Sequence, residues 1–192
     1  MVVKLQKVRI AFCQNLFKAG AIKPGDTPKF SSTFILHKDD PQVGTIKKAI
    51  LAVAQEKWEE KYEAILKSLK AGAKICLHDG DTKAQYDGFE GNFFISSSSP
   101  TAPLVIDRDR SRLTEAAGKP YAGCYVNVNL EIWAQDNVWG KRVNATLKGV
   151  QFAADGDAFV GSAPASEEDF DDLSDTGDTT ADDLIGDDVP FL

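Results

Sequence analysis

The stretch YAGCYVNVNLEIW, residues 121–133, alternates with period two, the signature of a strand with one face in a core. Its even positions, Ala122, Cys124, Val126, Val128, Leu130 and Ile132, are all apolar. Its odd positions, Tyr121, Gly123, Tyr125, Asn127, Asn129, Glu131 and Trp133, place three aromatic rings among polar residues on the outward side. Core filling does not explain rings on a wet face. Such rings suit the flat faces of nucleic-acid bases, where stacking contributes ~1–3 kcal/mol per base with little sequence preference. Cations that could meet phosphates stand close by. Lys119, Lys141 and Arg142 flank the hairpin, Arg108, Arg110 and Arg112 precede it, and Trp139 sits beside its turn. The alternative is that the rings pack under a loop or helix. Trp58 and Tyr62 lie on a helical apolar stripe and read as core, as do Phe30 and Phe34. Phe93 and Phe94 must face opposite ways, leaving one of them outward.

Charge supports a polyanion ligand. The 192 residues carry a net −7, but the two ends differ in sign. After Lys148 there is no Lys or Arg, while Asp155 onward holds 13 of the 29 acids. The remainder sets 22 basic residues against 16 acids, a net +6. A basic body fits nucleic acid. A block of like charge rich in Gly, Ser and Thr reads as a disordered interaction tail. Its end, Asp187, Asp188, Val189, Pro190 and Phe191, offers an apolar anchor with an acidic rim, suited to a basic pocket on a partner. The division expected is a folded body, 1–161, and an acidic tail, 162–192.

Other chemistries find little support. His78, Asp79 and Asp81 in HDGD lack a second ligand cluster, and the three cysteines form no C-x-x-C, so no metal and no cofactor is expected. DRDR at 107–110 has no further acidic partners at useful spacing. AAGKP lacks the other residues of a phosphate loop. No nucleophile motif occurs, so no catalysis is expected. There is no 18-residue apolar run and no signal-peptide pattern, so no membrane association is expected.

The elements that must position these residues are mostly strands. Residues 2–17 alternate, with a bulge expected near Gln6–Lys7, because the apolar parity switches between Leu5 and Val8. Val8, Ile10 and Phe12 share the core parity. FSSTFILH, GNFFISSSS, LVI, residues 121–133 and RVNATLKGVQF complete the strands, and AQDNVWGK reads as a turn. One long helix is expected over 39–72, capped by Asp40 and Pro41 and closed by Gly72. Five or so strands with one long inserted helix predict a small, partly open β-barrel.

The motifs TPKFSSTFILHKDDPQ, AQEKW, KPYAGCYVNVNLEIWAQDN and LKGVQFAADGD resemble, in that order, a bacteriophage family of single-stranded DNA-binding proteins. DDVPFL resembles the acidic tip of bacterial single-stranded DNA-binding proteins, which close on Asp-Asp-Ile-Pro-Phe, and departs from it by adding Leu192. The resemblance implies an OB-fold-like five-stranded barrel and a non-enzymatic protein that coats unwound DNA in phage replication and recombination. It further implies a place in the cytoplasm of the infected bacterial host, replication or recombination proteins as partners of the tail, and either a monomer or a homodimer. Asn127 and Asn129 join the rings and cations above as expected DNA contacts. The rival reading is an acidic DNA mimic that inhibits a nuclease or repair enzyme.

Overall fold

Two apolar phases in one strand require an extra residue, and the first strand contains it. In the computed structural model, which describes residues 1–21 and 25–159, β1 (Val2–Ala11) buries Val3 and Leu5, then Val8 and Ile10. Its pairing with the sixth strand shifts between Leu5 and Val8, where Lys7 takes φ 50°. The bulge changes the inward parity without breaking the strand.

The remaining elements are β2 (Phe30–His37), α1 (Pro41–Trp58), α2 (Tyr62–Ala71), β3 (Leu77–Asp79), β4 (Asn92–Ser99), β5 (Leu104–Ile106), β6 (Tyr125–Asn137) and β7 (Gly140–Ala154). Antiparallel ladders run in the order β4–β2–β1–β6–β7, and a parallel bridge, Ser98 to Thr146, joins β7 back to β4. Five strands thus close on themselves in an OB-like barrel, as expected. β3 extends the sheet from β4, and β5 runs parallel beside β7. The interior is solid: Ile10, Phe34, Ile95, Val126, Leu130, Ile132, Leu147 and Phe152 are fully buried. The even face of β6 is core, as its alternation predicts.

α1 begins where expected, with the Asp40 carboxylate accepting the Gln42 N–H at 2.8 Å and Pro41 in the first turn. Its buried stripe, Val43, Ile46, Ile50, Ala54 and Trp58, packs against β6 and β1. The single helix expected over 39–72 is instead two. Each four-residue step rotates an apolar stripe by about 40° around a helix of 3.6 residues per turn. Continued through Trp58 and Tyr62, the stripe would leave the core. Glu59 takes φ 46°, a 3-10 turn covers Glu59–Lys61, and α2 restarts so that Leu69 is buried. The Trp58 indole N–H, bonded to Asp136 Oδ2 at 3.0 Å, pins the break to the end of β6.

Two further expectations change. The strand expected at 121–133 begins only at Tyr125, because residues 121–124 turn. Gly123 has φ 103°, and a Cβ there would meet Asp157 O at 2.2 Å, so the chain crosses itself at this point. The turn expected over 134–141 shrinks to Val138–Trp139, because polar cross-strand pairs, Gln135 with Arg142 and the ion pair Asp136–Lys141, extend the ladder to Asn137–Gly140. Phe34 and Phe94 are core, whereas Phe30 and Phe93 are half-buried, with the Lys47 ammonium 4.9 Å from the Phe93 ring. The carboxylates of Asp79 and Asp81 hold Lys38, at 3.0 and 2.5 Å. The expected tail, 162–192, with Asp187, Asp188, Val189, Pro190 and Phe191, lies outside the described residues.

Candidate nucleic-acid interface

The serine-rich strands FSST and ISSSS pair with each other, Ser32 opposite Ser97 and Thr33 opposite Ser96. Small side chains make this part of the barrel wall recede, and taller residues stand at both ends. The result is a groove of about 620 Å³. Ser32 and Ser97 are buried and donate to the carbonyls of Ala11 (3.1 Å) and Ser32 (3.0 Å), so the floor is rigid. Ser31, Ser96 and Ser98 remain partly open along it.

One end of the groove carries Phe12 and Tyr86. Phe12 has left-handed backbone, φ 50°, which is uncommon outside glycine and asparagine. That conformation takes its ring off the face of Val8 and Ile10; half-buried, it packs against the buried Phe89, with centroids 5.6 Å apart, and stands edge-on to Tyr86 at 5.1 Å. The Lys83 ammonium lies 5.5 Å from the Phe12 ring. The other end is the half of the β6–β7 hairpin nearer its tip, where Trp133 pairs with Asn144. Trp133 is 41% exposed there, its indole N–H bonded to Thr146 Oγ1 at 2.9 Å. Gln135 accepts from Asn144 at 3.1 Å beside it. At the hairpin tip Trp139 is 84% exposed and Val138 95%.

The electrostatics are one-sided. Lys29, Lys74, Lys83 and Arg142 line the groove, and none of the described residues lining it is Asp or Glu. None of the four cations forms an ion pair among the described residues. His78 also lines it, stacked on Phe94 at 4.9 Å. Burial, and secondarily the Lys83 charge, hold its pKa below 6.5, so it is neutral at pH 7. The arrangement can hold an extended anion against flat rings. Among the described residues no group of three metal-ligating side chains occurs.

The sequence-derived site residues fall into three places. Trp133 and Arg142 line the groove, and Trp139 and Lys141 stand on the same hairpin, Lys141 paired with Asp136. Tyr121 and Tyr125 are half-buried beneath the segment that follows β7, not beneath the helix. The Tyr121 hydroxyl bonds Asp155 Oδ1 (3.0 Å) and accepts the Gly156 N–H (3.2 Å). A Cβ on Gly156 would lie 3.0 Å from the Tyr125 ring. Asn127 and Asn129 line a second groove of about 250 Å³ that shares no residue with the first. Arg108, Arg110 and Arg112 belong to the loop beside it, and the Lys119 ammonium lies 4.6 Å from the Phe152 ring.

The model of the family described as Enterobacter phage Enc34, ssDNA-binding protein, matches residues 1–183. The chain belongs to this family. It is also 45% identical over 177 residues to putative protein p50 of Acyrthosiphon pisum secondary endosymbiont phage 1, covering 91% of this chain and 95% of that protein. Among solved structures, the single-stranded DNA-binding protein from bacteriophage Enc34 in complex with ssDNA superposes with a TM-score of 0.69. That match has 26% identity, over 82% of this chain and 88% of the other. The same Enc34 protein in a second structure gives 0.65 at 27% identity, over 88% of each chain. Gp2.5 of bacteriophage T7, a single-stranded DNA-binding protein, shares the fold at a TM-score of 0.54 and 11% identity, over 100% of this chain and 98% of that one.

Within this Enc34-family chain, sequence reasoning misses Phe12, Tyr86, Lys29, Lys74 and Lys83 as groove residues. By parity Phe12 continues the core face of Val8 and Ile10, and only its backbone reversal brings its half-buried ring to the groove. The readable signal was the pair of serine runs, which no core strand needs.

Proposed function

We propose that this protein binds single-stranded DNA in the larger groove, bases stacking on Trp133 and Trp139 at the hairpin and on Phe12 and Tyr86 opposite. Lys29, Lys74, Lys83 and Arg142 meet the phosphates and release counterions. The partly open hydroxyls of the floor accept or donate to whichever base or sugar edge passes, which suits binding without sequence preference. One observation carries the reading: in a chain with 29 acids, a groove flanked by aromatic rings is lined by four cations that form no ion pair among the described residues, and by no described carboxylate. Its position adds support, since OB barrels generally bind on the face of their second and third strands and on the loops between strands one and two and strands four and five. Here those are β2, β4, the Phe12–Lys29 connection and the Val138–Trp139 turn. The Enc34 single-stranded DNA-binding protein was solved with ssDNA bound, which favours the same ligand class.

In the same proposal the protein coats unwound DNA in phage replication and recombination, within the host cytoplasm and without catalysis. The acidic segment 162–192 competes with DNA for the groove, and Asp187–Phe191 recruit partner proteins. Tryptophan fluorescence titrated with oligo-dT at low salt tests the binding. Trp58 is buried, so quenching reports Trp133 and Trp139. An unchanged signal, with no shift in anisotropy of labelled oligo-dT, overturns the proposal. Removal of 162–192 should raise affinity; unchanged or weaker binding rejects the competition.

A further inference from the structure

The smaller groove has a chemistry of its own. Lys4 and Gln6 of β1, Asn127 and Asn129 of β6, Gln151 of β7 and Ile106 of β5 line it, and no aromatic ring among the described residues does. A polar chain crosses the strands beneath it. The Lys7 N–H donates to Asn127 Oδ1 (3.1 Å), Asn127 Nδ2 donates to Gln151 Oε1 (3.1 Å), and Gln151 Nε2 donates to the Asp107 carbonyl (3.3 Å). This chain fastens the arginine loop to the barrel beside the groove.

The two acids of that loop face its own backbone. Asp107 Oδ1 accepts the Arg108 N–H (2.6 Å), and Asp109 Oδ1 accepts the Ser111 N–H (2.9 Å) and hydroxyl (2.6 Å). Arg108, Arg110 and Arg112 are exposed, and among the described residues neither they nor Lys4 form an ion pair. The Arg112 backbone bridges Ile106, at the edge of the groove.

We propose that this face is a second DNA surface, which takes the phosphodiester backbone of a further stretch of the strand held in the larger groove. The inference rests on the single-stranded DNA reading above. Cations without rings attract phosphates but do not stack bases, so this surface adds affinity only when a strand is long enough to pass around the barrel. Each phosphate neutralised on a single strand adds about 0.7 to the slope of log affinity against log salt.

The test uses the full chain with DNA in excess, so that each strand carries at most one protein. One oligo-dT of about 8 nucleotides fits the ~4–16 covered by one OB fold, and one of about 40 exceeds it. The triple variant Lys4→Gln, Arg108→Gln, Arg112→Gln should bind the long strand roughly tenfold more weakly, lower its salt slope by about 2, and leave the short strand unchanged. Asn129→Lys, at an exposed site, should raise the long-strand slope by about 0.7 and spare the short strand. Equal effects on both lengths, or none on the long one, overturn the inference. Trp133→Ala must weaken the short strand; if it does not while the triple variant still weakens the long one, the groove assignment falls and the second surface stands.

Discussion

The two grooves of this barrel share β6 and β7 but are otherwise built on different strands, β2 and β4 for the larger and β1 and β5 for the smaller, and their chemistry differs. The larger one has accessible rings, a hydroxyl floor, four cations without an ion pair among the described residues and no described carboxylate. The smaller one has amides, one lining lysine and a neighbouring arginine loop whose acids are turned to the backbone. A base needs a flat partner and a phosphate needs only charge. Under the two proposals above, base-stacking belongs to one surface and backbone-tracking to the other, and each has its own expected signature: ring substitutions act on strands of any length, charge substitutions at the smaller groove act only on long ones.

The largest effect expected is on the rings. Trp133→Ala with Trp139→Ala should remove two stacking partners at ~1–3 kcal/mol each, and anisotropy with short and long oligo-dT should show the loss for both. A loss confined to the long strand would exchange the roles of the two surfaces.

The next effect concerns the cover over two tyrosines. The segment 155–159 shields Tyr121 and Tyr125, with the Arg9 guanidinium bonded to the Gly123 and Asp157 carbonyls and lying 4.4 Å from the Phe159 ring. Gly123→Ala puts a Cβ at positive φ and against Asp157 O, and should destabilise the fold by about 1–3 kcal/mol, read as a lower thermal midpoint. If the cover also screens stacking rings, this variant should bind short oligo-dT more tightly. Unchanged affinity would leave Tyr121 and Tyr125 as packing residues alone.

The smallest effect is on pH and belongs to the larger groove only. The His78 pKa in the folded protein is depressed by burial, so the unfolded chain takes up its proton first. Its contribution to stability is therefore complete above about pH 6.5 and declines as pH falls through that value. A phosphate in the groove acts in the other direction and favours the imidazolium. Affinity for oligo-dT should rise severalfold below about pH 6.5, beyond the rise in a His78→Gln control. An identical pH profile in the control would remove His78 from the interface.

Much of the fold was legible in the residues. The alternation of 121–133 announces the buried face of β6, the switch of parity announces the bulge at Lys7, and Asp40–Pro41 announce the start of α1. Each is a local pattern, set by side-chain periodicity or by the bonds of a single turn. The groove was less legible. The outward residues of β6 look equivalent along the sequence, yet Trp133 lines one groove and Asn127 and Asn129 line the other. A long strand coils as it closes a barrel, and the β6–β7 register shifts between Asn129 and Leu130, so one sequence parity serves two exterior surfaces.

By itself the sequence determined the strand faces, the helix start and the separation of a basic body from an acidic segment, because each depends on neighbours along the chain. Tertiary structure alone decided which exposed residues meet. Phe12, Lys83, Ser97, Trp133 and Arg142 reach one groove because β7 closes onto β4 and the backbone of Phe12 reverses. Closure joins strands far apart in sequence, and local periodicity carries no information about such a meeting.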